Sequence, residues 1–203
     1  METQKEKTVK KRRTKKELEE IIWTTFERLV IKEGFNNVTL IKLAREAGVE
    51  PPIIYKRFEN EEDLFEQYFR KKDFWLNNTV TINRDLSPKE NLANILTGLV
   101  DNLYDNEITQ RVLLWMLNDT HKTTRQLAMR REFENGFLIN YYNDAFKNCG
   151  VNTNVAVAVL LGGIYYIVLH KKISLVSTVN FNNDNGKEEL KKTVYDMINK
   201  LFS

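Results

Sequence analysis

A single glycine, Gly48, separates two short segments of the chain that each carry apolar side chains at helical spacing. The first segment follows Thr39, a residue type that caps helix N-termini. The second follows Glu50 and opens with Pro51 and Pro52, which a helix accepts in its first turn because those amides have no helical partner. Two short helices joined by a glycine-containing turn predict a helix-turn-helix motif.

A longer helix is expected before this motif. Thr14 and Glu17 have capping-box spacing, apolar residues recur at helical intervals after them, and Gly34 follows as a helix breaker. We therefore expect a three-helix headpiece over residues 14–59, preceded by a flexible basic arm at residues 1–13. The remaining residues, 60–203, form the second predicted domain.

Proline and glycine are scarce in this chain, with 3 and 8 residues among 203. This composition favours long helices over a sheet with many turns, so we predict an all-α fold of about nine helices. A fourth helix is expected after Asn60, and Ser87-Pro88 opens the next. Further helices are expected at residues 107–118, 123–147, 154–175 and 187–202.

Positive charge is concentrated at the N-terminus. Residues 1–16 contain eight Lys and Arg side chains against two Glu side chains, although the whole chain has a net charge of only +3. Such a cluster binds nucleic-acid phosphates by releasing counterions and does not read sequence. A solvated tail explains the same cluster equally well.

The sequence lacks the residue patterns that disulfide-rich proteins, metal-binding proteins and enzymes require. Cys149 is the single cysteine, which excludes an internal disulfide framework and a Cys-based zinc finger and suits a reducing cytoplasm. His121 and His170 are too far apart in sequence to form a recognisable metal motif, and no nucleophile motif is present. We therefore expect no metal, no cofactor and no enzymatic activity.

Neither export nor membrane insertion is expected. The N-terminus is charged and lacks the apolar run of a signal peptide. The longest apolar run, residues 155–169, is shorter than the ~18 residues of a membrane-spanning segment. These features predict a cytoplasmic protein without a membrane partner.

The stretch from Thr39 to Leu64 resembles the signature of the tetracycline-repressor (TetR) family of transcriptional regulators. It contains the elements of that signature in order: Thr39, Leu43-Ala44, Ala47-Gly48-Val49, Ile54-Tyr55-Lys56-Arg57-Phe58 and Asn60-Glu61-Glu62-Asp63-Leu64. The sequence departs from the family at Glu61, where a Lys that contacts a DNA phosphate is common. A carboxylate there is expected to repel DNA, and the basic arm to compensate.

This resemblance implies that the second short helix enters the major groove of DNA, with the Tyr55 hydroxyl and Lys56 on phosphates. Proline and isoleucine donate no side-chain hydrogen bonds, so base reading is expected to use apolar contacts such as thymine methyl groups. Arg57 and Lys42 are candidates to assist it. The complete set of expected DNA-contacting residues is Lys11, Arg12, Arg13, Thr39, Lys42, Glu50, Pro51, Pro52, Ile53, Tyr55, Lys56 and Arg57.

For the C-terminal domain, the resemblance implies a pocket for a small-molecule effector and a homodimer formed through the last two helices. The candidate dimer surface comprises residues 155–169 and the apolar positions of residues 190–202. The candidate ligand-binding residues are Trp115, Phe137, Tyr141 and Tyr165. Aromatic residues at helical spacing are also typical of an ordinary core, and the last helices could pack on their own chain instead.

Taken together, these features predict a ligand-responsive regulator, a repressor that a small apolar or aromatic effector releases from a palindromic operator. The alternative is a protein-interaction or ligand-buffering module of the same fold with weakened DNA binding. Glu50 and Glu61 on the expected DNA side motivate this alternative.

Overall fold

The computed structural model describes residues 13–71, 82–118 and 122–202, and all regular secondary structure in these ranges is helical. A single turn of 3-10 helix, Phe35–Asn37, joins the first two α-helices. The α-helices are α1 (Lys15–Glu33), α2 (Leu40–Ala47), α3 (Pro51–Arg57), α4 (Glu61–Lys71), α5 (Pro88–Tyr104), α6 (Glu107–Asn118), α7 (Lys122–Glu134), α8 (Gly136–Ala145), α9 (Thr153–His170) and α10 (Asp184–Leu201). The predicted all-α fold is confirmed.

The chain divides into two compact units between Glu61 and Glu62. We refer to the first, as far as it is described (residues 13–61), as the headpiece and to the second (residues 62–202) as the body. The headpiece contains α1, α2 and α3. Apart from its first residue, α4 belongs to the body, together with α5 to α10.

Helix α1 begins at the predicted capping box. The Thr14 hydroxyl accepts a hydrogen bond from the Glu17 amide at 3.2 Å, and the Glu17 carboxylate accepts one from the Thr14 amide at 2.7 Å. Gly34 ends the helix with a φ of 81°, a conformation that costs glycine little. The headpiece core then forms from side chains with no exposed surface, namely Ile22, Phe26, Val30, Leu43, Ala44, Ile54 and Phe58.

The body is organised around α5 and α10. Ser87 and Glu90 form a second capping box that begins α5. Leucines of α5 and apolar residues of α8, α9 and α10 share one buried cluster, whose members include Leu96, Leu99, Leu103, Tyr142, Ile164, Val194 and Ile198. This cluster is the main apolar core of the body among the described residues.

The loop between α9 and α10 is held against α5. Lys171 is buried, and its ammonium group donates to the Tyr104 carbonyl at 2.5 Å. The Tyr104 hydroxyl in turn donates to the carbonyls of Phe181 and Asn183. Burial lowers the pKa of Lys171, since desolvation disfavours the charged amine.

Three predicted helices differ from the structure by more than one residue at a boundary. The single helix expected at residues 123–147 is two helices, α7 and α8, which separate at Asn135 and Gly136, both poor helix formers. Helix α9 ends at His170 instead of residue 175, and Val176 and Val179 then pair in a tight turn with positive φ angles at Ser177 and Thr178. Helix α10 begins three residues early, at Asp184, where the Asn183 side chain caps it.

Helix α9 is longer than the apolar run on which it is built. Its 18 residues have a mean hydropathy of 1.7, enough by length and composition to cross a membrane, and only 22% of this stretch is buried. The apolar run within it is still residues 155–169, as predicted, and a single helix of this kind is only weak evidence of a membrane span. An apolar helix that its own chain covers so little is also typical of a subunit interface.

Candidate nucleic-acid interface

The turn between α2 and α3 has the geometry of a helix-turn-helix. The Thr39 hydroxyl caps α2 by accepting from the Lys42 amide at 3.2 Å. Gly48 ends α2 in the left-handed conformation, with φ 59° and ψ 42°, and its amide donates to the last turn of the helix. Glu50 occupies the N-cap position of α3 as predicted, but its side chain makes no capping hydrogen bond.

Helix α3 is anchored on one side and open on the other. Ile54 has no exposed surface, and neither does Phe58, which follows the helix. Ile53 is 41% exposed and Tyr55 48% exposed. Glu50, Pro51, Pro52 and Lys56 are also exposed. The predicted outward face of α3 therefore exists, and it ends at Lys56.

Arg57 is less exposed than its predicted outward position requires. Its guanidinium group pairs with the Glu19 carboxylate at 3.3 Å and lies 6.0 Å from the centre of the Trp23 ring. The side chain retains only 25% of its exposed surface. Arg57 thus packs against α1, the helix that carries both Glu19 and Trp23.

Lys42 also has partners within the headpiece. Its ammonium group donates to the Glu33 carboxylate, at the end of α1, and to the Asn37 carbonyl at 3.3 Å. The hydrogen bond from Lys42 holds the pKa of Glu33 below its ordinary value. The charge of Lys42 is therefore balanced by a carboxylate of its own domain.

Arg13 lies beside the turn of the motif. Its guanidinium group donates to the Gly48 carbonyl at 3.1 Å and to the Ala47 carbonyl at 3.4 Å. These carbonyls are at the C-terminal end of α2, where a cation is favourable. Lys11 and Arg12, the other two expected contacts of the arm, are outside the described residues.

Glu61 has a structural partner that sequence reasoning missed. Its carboxylate accepts a hydrogen bond from the Leu40 amide at 3.0 Å, in the first turn of α2. A carboxylate is stabilised at a helix N-terminus by the unpaired amides and by the helix dipole. The change from the Lys common in the family to Glu was visible in the sequence, but its partner, 21 residues earlier, was not.

The headpiece has no net charge. Residues 13–61 contain nine Lys and Arg side chains and nine Glu side chains. Residues 1–12 contain five Lys and Arg side chains and two Glu side chains, which equals the net charge of +3 of the whole chain. The net positive charge available to attract phosphates is therefore in the arm.

Among the described residues, the four candidate ligand-binding aromatic side chains lie in different surroundings. Trp115 is buried between the rings of Phe65 and Phe69, at centroid distances of 5.4 and 6.0 Å. Tyr141 and Tyr165 are half-buried against the core cluster of the body. Phe137, by contrast, is 59% exposed.

Tyr142 is a body residue that sequence reasoning passed over. It is 5% exposed, and its buried hydroxyl has no hydrogen-bond partner among the described residues. Burial raises the pKa of this hydroxyl. Its neighbour Tyr141, a predicted ligand-binding residue, is only half-buried, a difference that the residue type does not reveal.

Within the described residues, no group of three or more His, Cys, Asp and Glu side chains is arranged to hold a metal ion. Of the two histidines, His121 is outside the described residues. His170 stacks on Tyr166 and shares a hydrogen bond with Ser174 at 2.9 Å.

The N-terminal part of the chain is similar to a known family. Residues 25–72 match the model of bacterial regulatory proteins of the tetR family. A curated protein from Haemophilus influenzae, named an uncharacterized HTH-type transcriptional regulator, is 40% identical over 57 residues. That match covers 28% of this chain and 30% of the relative.

Solved structures resemble the chain over most of its length. A TetR-family transcriptional regulator from Haemophilus influenzae has a TM-score of 0.62 at 18% identity, covering 91% of this chain and 98% of that one. NalD from Pseudomonas aeruginosa, the secondary repressor of a multidrug efflux pump, has a TM-score of 0.61 at 18% identity, covering 89% and 96%.

At these identities the solved structures show the fold alone, and the family match is confined to residues 25–72. The residues of the family signature lie in the α2–turn–α3 arrangement that the motif requires. Residues 25–72 of this chain, which include this arrangement, are thus similar to the tetR family of bacterial regulatory proteins.

Proposed function

We propose that this protein is a DNA-binding transcriptional regulator of the cytoplasm, a repressor that binds a palindromic operator as a homodimer and is released by a small apolar or aromatic effector. The observation that carries the proposal is the arrangement of α3. A buried side, with Ile54 and Phe58, fixes the helix, and an exposed side, with Ile53, Tyr55 and Lys56, is free to enter a groove.

In this proposal Tyr55 and Lys56 contact phosphates, while the first turn of α3 lies against base edges. Pro51, Pro52 and Ile53 have no side-chain donors, so they read apolar features, above all thymine methyl groups. Replacing thymine by uracil in a bound site is expected to weaken binding. Unchanged affinity after this replacement would contradict apolar reading.

The open face of α9 supports the homodimer. Val155, Val159 and Tyr166 are spaced along one side of the helix and are 59%, 67% and 56% exposed. On α10, Met197 is 42% exposed. A second copy would cover these residues around a two-fold axis, which suits two half-sites about 34–36 Å apart on DNA.

The body supplies features suited to an apolar effector with one polar group. Tyr141 and Tyr165 border its core, and the buried Tyr142 hydroxyl is available for a hydrogen bond. Small-molecule sites combine mostly apolar surface with a few placed polar groups. NalD, whose fold this chain shares, is named as a repressor of an efflux pump, which agrees with a repressor here.

The first test is selection of bound sequences from a random duplex pool by the purified protein. Enrichment of an inverted repeat is expected, and Tyr55→Ala and Lys56→Ala should both abolish it. The matched control is Lys192→Ala, which removes a cation from α10 of the body and should leave enrichment intact. A folded protein that enriches no sequence at low salt would contradict operator binding.

The neutral headpiece favours a second candidate function, the protein-interaction or ligand-buffering module. Arg13, Lys42 and Arg57 all have internal partners, which reduces the charge offered to DNA. Salt dependence separates the two candidates. A regulator should lose affinity for DNA steeply as salt rises, and deletion of residues 1–12 should flatten that dependence while preserving sequence preference. An interaction module should bind duplex DNA weakly at every salt concentration.

A further inference from the structure

Two acceptors of the headpiece hold the ammonium group of Lys42. One is the carboxylate of Glu33 in the last turn of α1, and the other is the Asn37 carbonyl at 3.3 Å. The Asn37 side chain donates to the Glu33 carbonyl at 2.7 Å, so all three residues are tied together. Because the Lys42 and Glu33 side chains keep only 26% and 25% of their exposed surface, solvent screens this pair only partly.

Lys42 nevertheless lies where a helix-turn-helix protein approaches DNA. It belongs to the first turn of α2, beside the exposed cap Thr39 and the 63% exposed Ile41. In this motif the helix before the recognition helix crosses the DNA backbone. The Lys42 ammonium group can therefore bind either the Glu33 carboxylate of its own domain or a phosphate of DNA.

We propose that Glu33 competes with the DNA backbone for the Lys42 ammonium group, so that Glu33 sets the affinity of the headpiece for DNA. This inference rests on the proposed function, because it assumes that the headpiece binds DNA. Carboxylates and phosphates form charge-assisted hydrogen bonds of similar strength with a cation. Exchanging the Glu33 carboxylate for a DNA phosphate therefore gains little free energy of binding. Lys42 adds little to the affinity for DNA while Glu33 is present.

The pair also decides how Lys42 responds to salt. A lysine that neutralises a phosphate releases a counterion from DNA. While Lys42 stays with Glu33, however, it neutralises no phosphate and releases no counterion. The lowered pKa of Glu33 keeps it ionised at neutral pH, so the competition persists throughout the physiological range.

The test is the affinity of Glu33→Gln for mixed-sequence double-stranded DNA, measured from about 50 to 200 mM salt. Glutamine has the size of glutamate but no charge. The variant is expected to bind several-fold more tightly at low salt, with a plot of log affinity against log salt steeper by about 0.9. Its melting temperature should fall, because α1 loses a contact with α2. Stability and affinity should thus change in opposite directions.

Glu20→Gln is the matched control, since Glu20 is an exposed carboxylate on α1, the helix that carries Glu33. It removes the same charge from the same headpiece without freeing Lys42, and should leave the salt slope unchanged. In a Glu33→Gln/Lys42→Met double variant the gain in affinity should disappear.

Two results would overturn the competition: an equal gain in affinity in Glu20→Gln, or a gain that survives in the double variant. Both would mean that general repulsion by carboxylates controls affinity. An unchanged slope in Glu33→Gln, with wild-type protein still binding DNA, would also reject it. Wild-type protein that binds no DNA at low salt would instead reject the proposed function, and the competition with it.

Discussion

At the scale of single residues, the headpiece is stabilised by a side chain that accepts a hydrogen bond from a helix-end amide far away in sequence. Glu61 accepts the Leu40 amide at the start of α2. Glu61→Ala should destabilise the headpiece by about 1 kcal/mol, because an amide of the first turn loses its partner. Glu50→Ala is the control, since the Glu50 side chain makes no capping hydrogen bond. Thermal unfolding followed by circular dichroism should show a larger decrease for Glu61→Ala than for Glu50→Ala.

A second prediction at this scale concerns two glycines. Gly48 has a φ of 59°, while Gly98 lies in the middle of α5, and an added Cβ at Gly98 would meet nothing within 4 Å. Gly48→Ala should lower the free energy of unfolding by about 1 kcal/mol. Backbone strain alone causes this loss, because the atom nearest to the new Cβ would be 3.9 Å away and would not clash with it. Gly98→Ala should stabilise by up to about 1 kcal/mol. Equal effects of the two substitutions on the unfolding midpoint would contradict this account.

At the scale of helices, the capping boxes of α1 and α5 predict acid sensitivity. Hydrogen bonds from Thr14 and Ser87 lower the pKa values of Glu17 and Glu90 below their ordinary value of 4.5. A carboxyl with a depressed folded-state pKa stabilises the fold above its unfolded-state pKa and loses this effect as the pH falls through the folded value. Helicity should therefore decline below about pH 4.5. The Glu17→Gln/Glu90→Gln variant should be less stable at neutral pH and less sensitive to acid. Identical acid transitions of the variant and the wild-type protein would contradict a role of the capping boxes in acid sensitivity.

At the scale of the whole molecule, the exposed side of α9 predicts self-association. Val159→Glu should place a charge in the proposed dimer interface and shift the protein toward monomer, as measured by light scattering after size-exclusion chromatography. Met129 on α7 is 73% exposed, and Met129→Glu is the matched control that should leave the mass unchanged. A wild-type monomer at micromolar concentration, or dissociation by the control alone, would reject α9 as the interface.

Local patterns predicted the headpiece well because its signals lie close together in sequence. The Thr14–Glu17 box, the Thr39 cap and the breaks at Gly34 and Gly48 all act within one or two helical turns. Helix boundaries in the body were predicted less accurately where one or two residues with low helix propensity decide where a helix ends. Periodicity alone predicts one continuous helix through Asn135 and Gly136, but the structure has two helices that separate there.

The site was predictable as a surface but not as a set of partners. Periodicity correctly separated buried Ile54 from exposed Ile53 and Tyr55, because a helix repeats every 3.6 residues. It could not show that Arg57 pairs with Glu19 or Lys42 with Glu33. These pairs join residues on different helices, and only the packing of α1 against α2 and α3 brings them together.

The amino-acid sequence by itself determined the all-helical fold, the helix-turn-helix and the concentration of net positive charge in the arm. Each follows from composition or from the order of neighbouring residues, which act through backbone propensity, capping and helical periodicity. Only the tertiary structure decided which cations remain available to DNA, that Glu61 supports α2, and that α9 keeps its apolar face open. The physical reason is that a side chain's partners and its burial depend on residues distant in sequence, which meet only when the helices pack.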